Sequence, residues 1–419
     1  LKYRRYVCVL LYIAMAAACL VTGCQGAGDV ASDPDLYDRD ADKVFSGCDC
    51  EPLGSFVGET VHVSTVSQLE AAVSAANTAG GNRTILVADG TYTLNTILYI
   101  TADHVMVRGE SGNRNRVILQ GKGMDGNVGH IFLVAASHVT IADMSLGDVF
   151  YHAIQVQGEK GASDLLVHNT RIFNTHEQMI KGSFSQETNQ GSENGTVRCS
   201  LFEYTEDFGP QYYIGGIDVH RGINWKVYNN TFRNIRSPEE GRLAEHAVHF
   251  WSNSVNPLIE KNVIVNCDRG IGLGLGASGC TGGTVRNNMI FADGNGLNSD
   301  VGIGLESAVN VLVYHNTILF DHDYPHAVEY RFAASTGNMI LNNLTNRAIV
   351  SRNSGSATVR NNVTDADESW FESVSTGNLH LTGPVFDVTE KGEALPSVTE
   401  DIDCDERPGT SPDIGADQL

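Results

Sequence analysis

Asparagines recur at nearly even intervals through the middle of this chain, each inside the same short pattern of β-branched and apolar residues. The copies read "LLVHNTRI", "WKVYNNTF", "LIEKNVIV", "GTVRNNMI", "VLVYHNTI", "MILNNLT" and "ATVRNNVT". They align Asn169, Asn230, Asn262, Asn288, Asn316, Asn343 and Asn362, with Ser200 in the copy "TVRCSLF", at steps of 31, 30, 32, 26, 28, 27 and 19 residues. Such a period in strand-forming sequence without helical patterning predicts stacked coils, each burying its apolar face on its neighbours. Stacked asparagines can bond one another's amides along the axis, so the column reads as a structural ladder.

A second series lies upstream of the ladder in each coil: "AIQVQ", "MIKGS", "GIDVH", "AVHFW", "GIGLG", "GIGLE" and "AVEYR". Alternation at period two makes these strands with one buried and one outward face. The inward set is Ile154, Ile180, Ile217, Val248, Ile271, Ile303 and Val328. The outward centre is Gln155, Lys181, Asp218, His249, Gly272, Gly304 and Glu329, and the next outward row includes Ser183, His220, Trp251, Glu306 and Arg331. Neighbouring strands sit about 4.8 Å apart, so residues remote in sequence share one wall. Lys, Asp and His on consecutive coils, with Trp251 and Tyr213 close by, exceed what solubility alone asks of a solenoid surface. Aromatics beside charges suit sugar rings. The glycines of 270–276 and 301–306 are expected to leave room for a ligand. Long insertions after Lys181 and before Asp218 and His249 are expected to wall the groove.

The formal net charge of −22 excludes general nucleic-acid binding and suits an exported, single-chain protein. Lys2, Arg4 and Arg5 precede an apolar run ending "LVTGC", the form of an export signal over 1–24. Its "VTGC" ending resembles a bacterial lipobox. That would make Cys24 a lipidated first residue, the chain's only membrane attachment, and place the protein at the outer membrane or cell surface. Residues 25–60, with "DPDLYDRDAD", read as a solvated tether. Cys48, Cys50, Cys199, Cys267, Cys280 and Cys404 remain for an oxidising compartment. "CDC" at 48–50 reads as a disulfide tether, with its partners open.

The segment "TVSQLEAAVSAANTAGGNRTILVADGTYTL" resembles the entry of a right-handed parallel β-helix, in which a short helix covers the open end of the core. Val66, Leu69, Ala72, Val73 and Ala76 share one helical face there, and Thr65 with Gln68 can cap it. The fold class is therefore all-β: a single-stranded right-handed parallel β-helix over 61–385, with an N-terminal capping helix and a tail, 386–419, that packs on or caps it. The closing "SPDIGADQL" resembles C-terminal ends of secreted bacterial β-helix proteins.

The whole pattern resembles β-helix carbohydrate-active proteins, nearest in mechanism to the alginate lyase and chondroitinase B family. The resemblance implies β-elimination on an anionic, uronic-acid-containing polysaccharide: a base takes the C5 proton while a cation meets the adjacent carboxylate. A lysine base would fall on Lys181, an assisting arginine on Arg221, and His220 and His249 are alternative bases with Asp218 to orient them. Gln155, Tyr213, His246, Trp251, Arg269, Glu329 and Arg331 are candidate substrate contacts. Calcium, held by Asp218, Glu245 and Glu306, would be the cofactor, although neither that family's acidic cluster nor its arginine motif is found here. His152, His246 and His326 share one register position, three before the outward centre, and offer a transition-metal alternative. A glycoside hydrolase and a non-catalytic glycan-binding lipoprotein are the rival functions.

Overall fold

The computed structural model describes Cys48 and residues 50–419. The export signal, Cys24 and most of the spacer before Cys50 lie outside the described residues. Strands of successive coils pair in parallel, each with its counterpart in the next turn. One ten-stranded sheet carries Leu98–Ile100, His130–Val134, His152–Gln157, Gln178–Ser183, Gly215–His220, Val248–Trp251, Ile271–Leu273, Ile303–Glu306, His326–Arg331 and Ala348–Arg352, in that spatial order. Its inward column from Ile154 to Val328 is fully buried and merges into one continuous apolar core.

The other flank turns a corner. Thr140–Val149 and Leu166–Thr175 run unbroken through it, whereas later coils divide the same path, as in Thr284–Arg286 and Met289–Ala292. At the corner a column of residues takes positive φ: Asp143, Asn169, Asn229, Asn287, Asn342 and Asn361 lie between 47° and 59°. Asn and Asp enter this left-handed region most readily of the residues bearing a side chain.

The ladder stands one residue beyond that column. Asn230, Asn262, Asn288 and Asn316 each donate Nδ2–H to the Oδ1 of the next asparagine at 2.9–3.0 Å, as Asn343 does to Asn362. Asn169 departs from the sequence alignment. It occupies the left-handed corner, bonded to Asp143, and Thr170 takes the ladder position against Ser200.

The helix Val66–Thr78 closes one end of the core with Leu69, Val73 and Ala76. Thr65 Oγ1 accepts from Gln68 N–H, while Gln68 Oε1 accepts from Ser64 N–H.

The sequence reading carries coils to 385, but the last parallel strand is Ala357–Arg360 and an antiparallel pair, Phe371–Ser373 with Asn378–Leu381, follows. The reason is a change of partner. Phe371, Leu379, Leu381, Ile402, Ile414 and Ala416 bury mainly against Val263, Val265, Met289, Phe291 and Leu319 on the flank of earlier coils. "SPDIGADQL" locks this tail in place: Ala416 N–H donates to Thr317 Oγ1, and Arg407 reaches the carbonyls of Asp413 and Gly415. Disulfides join Cys48 to Cys404 and Cys50 to Cys199, so "CDC" ties the start of the described chain to two distant segments. Cys267 and Cys280 are buried thiols.

Candidate active site

Lys181, Asp218 and His249 are cross-strand partners on three consecutive coils, and His220 pairs with Trp251 two residues further along. Gln155 extends the row on one side, Gly272, Gly304 and Glu329 on the other. The register is that of the sequence reading. The exposure is not.

Asp218 is 2% exposed and His249 1%, so this outward row is roofed. The insertions do the roofing, and they brace one another: the Arg242 guanidinium stacks 3.3 Å over the Tyr212 ring, and Asp268 accepts from the backbone N–H groups of Ser237 and Ala244. The Tyr213 ring stands 5.8 Å from Lys181 Nζ.

Under this roof Lys181 Nζ bonds Asp218 Oδ2 at 2.7 Å, and Trp251 Nε1–H bonds Oδ1 at 2.7 Å. Burial pushes the Asp218 carboxyl up, but electrostatic attraction, chiefly to the Lys181 ammonium, outweighs it and leaves it below the ordinary carboxylate range. Burial likewise opposes the Lys181 ammonium, yet Asp218 raises its pKa above the ordinary lysine value. Lys181 is thus a fixed cation, and as a free base it is poorly suited. His220 differs. Its Nδ1 bonds Ser252 Oγ at 3.1 Å, its Nε2 has no partner among the described residues, and burial lowers its pKa to about 4. It is neutral at pH 7. Its ring lies between Phe184, 5.6 Å away, and Trp251, 4.2 Å away, making a short aromatic run beside the row.

Several candidates have other occupations. Arg221 takes φ 53° at the strand end and holds the insertion through Asn189 Oδ1 and the Asn253 carbonyl, so it leaves the row. His249 is sealed in, its Nε2–H donated to the Gly274 carbonyl at 3.2 Å. Glu329 accepts from Tyr324, His326 and Arg352, a saturated anchor. Arg331 bonds Glu306, whose other oxygen accepts from Gly276 N–H. Gln155 bonds Ser183. The room expected above Gly272 is filled by the His246 ring, which a Cβ there would meet at 2.7 Å. What space remains is a cavity of about 80 Å³ between Arg269, Gly304, Glu306 and Arg331.

Asp218, Glu245 and Glu306 do not form a common oxygen cage, because the first and last are bonded elsewhere and Glu245 lies with His246 and His249. His152 stacks on His130, 5.3 Å away, and His326 bonds Glu329, so the three-histidine column does not converge. Sequence reasoning missed Phe184, one residue past a predicted strand, and Ser252, which orients His220.

No family model and no curated protein matches the sequence. Among solved structures the chain is similar to pectate lyase Pel9A, with TM-score 0.57, 15% identity, and coverage of 86% of this chain and 96% of that one. It is also similar to PfbA, a surface adhesin of Streptococcus pneumoniae, with TM-score 0.45, 13% identity, and 72% and 88% coverage. Endo-xylogalacturonan hydrolase from Aspergillus tubingensis gives 0.38, 10%, 74% and 97%. The likeness to Pel9A is one of architecture, and it agrees with the coil register described above: the chain is a right-handed parallel β-helix.

Proposed function

We propose that the groove over Lys181, Asp218, His220 and Trp251 cleaves an anionic, uronate-containing polysaccharide by β-elimination. The observation that carries this reading is a neutral imidazole, anchored through Nδ1 on Ser252 with Nε2 left without a partner among the described residues, beside a fixed ammonium that the Tyr213 ring faces. His220 Nε2 takes the C5 proton. The C5–H electron pair becomes the C4–C5 double bond, the C4–O4 bond breaks, and O4 takes a proton from water. Lys181 neutralises the uronate carboxylate and the charge that spreads onto it, while Asp218 and Trp251 hold the ammonium in place. Phe184, Trp251 and Tyr213 offer faces for the sugar rings. Disulfides that persist in oxidising compartments fit a site of action outside the cytosol.

Incubation with a panel of uronic-acid polymers is expected to raise the absorbance of unsaturated ends. New reducing ends without that absorbance would replace the lyase with a hydrolase, and retention without cleavage would leave a glycan binder. His220→Ala is expected to cost about a hundredfold or more in kcat. As the base works deprotonated, kcat/KM should fall tenfold per pH unit below about 4. A flat acid limb there would remove His220. Calcium enters as a separate arm: elimination is expected to survive EGTA, and abolition by EGTA with recovery on adding Ca²⁺ would assign the carboxylate to a metal rather than to Lys181.

A further inference from the structure

Beside the groove, Glu245 Oε2 lies 3.8 Å from His249 Nδ1 and 4.0 Å from His246 Nδ1, in a cluster whose donor atoms all fall within 4.8 Å of one another. None of these three atoms has a hydrogen-bond partner, though each is shut off from solvent. His246 is 6% exposed and His249 1%. The Gly274 carbonyl can only accept, so His249 Nε2–H donates to it and Nδ1 is the ring nitrogen turned towards the carboxylate. Arg269 does not fill the gap: its guanidinium stands 3.6 Å from Glu245 and also leans on Asp300 at 3.2 Å. Three buried polar atoms without hydrogen-bond partners converge here.

We propose that Glu245, His246 and His249 bind a divalent transition-metal ion of the zinc type. Two imidazoles and a carboxylate suit zinc and its neighbours, whereas calcium and magnesium take oxygen donors. Ligand atoms on a tetrahedral ion with bonds of about 2.0–2.1 Å lie roughly 3.3 Å apart, so the carboxylate must approach the two imidazoles by about 0.5–0.7 Å, with the rings moving together as well. The Gly274 carbonyl supplies the outer partner that orients a metal-bound histidine. Gly272, lacking a side chain, lets the His246 ring lie across the next coil. Glu245 and His246 precede the strand Val248–Trp251 that carries His249, so the ion fastens the 236–247 insertion to the sheet. His249 adjoins Asp218 across the strands, but metal binding here is measurable without substrate.

Full-length protein free of a histidine tag, stripped with a chelator and then given Zn²⁺ alone, is expected to retain one equivalent per chain through gel filtration. Its Tm should rise with zinc. Glu245→Gln and His246→Ala should weaken uptake at least tenfold and abolish that rise, with circular dichroism confirming the fold. Co²⁺ should give visible bands of a four-coordinate nitrogen–oxygen site that His249→Ala removes. Absence of stoichiometric zinc or cobalt uptake by folded wild type would overturn the site. So would undiminished uptake by both variants, or uptake lost only in His380→Ala, which belongs to the separate His380–Asp403–Asp417 group.

Discussion

Replacing Asp218 with asparagine is expected to destabilise the protein by about 3–5 kcal/mol, the cost of leaving one member of a buried ion pair unmatched. The side chains of Lys181 and Asp218 are 12% and 3% exposed, so water cannot take over the role of the missing carboxylate. Asparagine preserves shape and an acceptor for Trp251, which isolates the charge. Urea unfolding of Asp218→Asn, Lys181→Met and the double variant forms a closed cycle. The double variant should recover most of the lost stability and none of the elimination activity. A loss in the double variant equal to the sum of the two single losses would show that the pair is not coupled. The pH dependence has two edges. Asp218, depressed when folded, contributes stability above its ordinary 3.8 and loses it as pH falls through its lower native value. Lys181, raised when folded, contributes below its ordinary 10.5 and loses it as pH climbs through its higher native value.

Asn288→Ala should be nearly as damaging, again about 3–5 kcal/mol, because several buried groups lose partners together. Asn288 Nδ2 donates to the carbonyls of Ile259 and Arg286 and to Asn316 Oδ1, and its own Oδ1 accepts both the backbone and side-chain N–H of Asn262. Alanine strands the amide of Asn262 and the Ile259 carbonyl in the core wall. Asn362→Ala, at the partly exposed end of the same column, should cost about 1 kcal/mol because water reaches its neighbours. Equal midpoints in urea for the two variants would remove the ladder as a cumulative source of stability.

The coil register could be read from the sequence to the residue, because period-two alternation admits no one-residue slip without turning Ile217 or Val248 outward. The environment of the row could not. Whether Asp218 faces water depends on how the insertions at 184–195, 204–214 and 237–247 pack, and their sequences carry no repeat. Arg221 was misplaced for a related reason: strand alternation stops at His220, and only the backbone turn shows that the next side chain swings away. Asn169 and Thr170 differ by one position in an alignment but by a whole backbone conformation at the corner. The Glu245 cluster escaped notice as a nitrogen site because two of its members lie in an insertion. Lysine in position 181 reads as a base until its partner, 37 residues away, shows it to be a held cation.

Stacked coils ordinarily fray from their termini, since an end repeat has only one neighbour. The Cys48–Cys404 bond converts this linear stack into a covalent ring of more than three hundred residues. Peeling of the tail from the flank therefore drags the segment at Cys48 with it, and a chain cut once within the ring still travels as a single molecule until a reductant opens the loop.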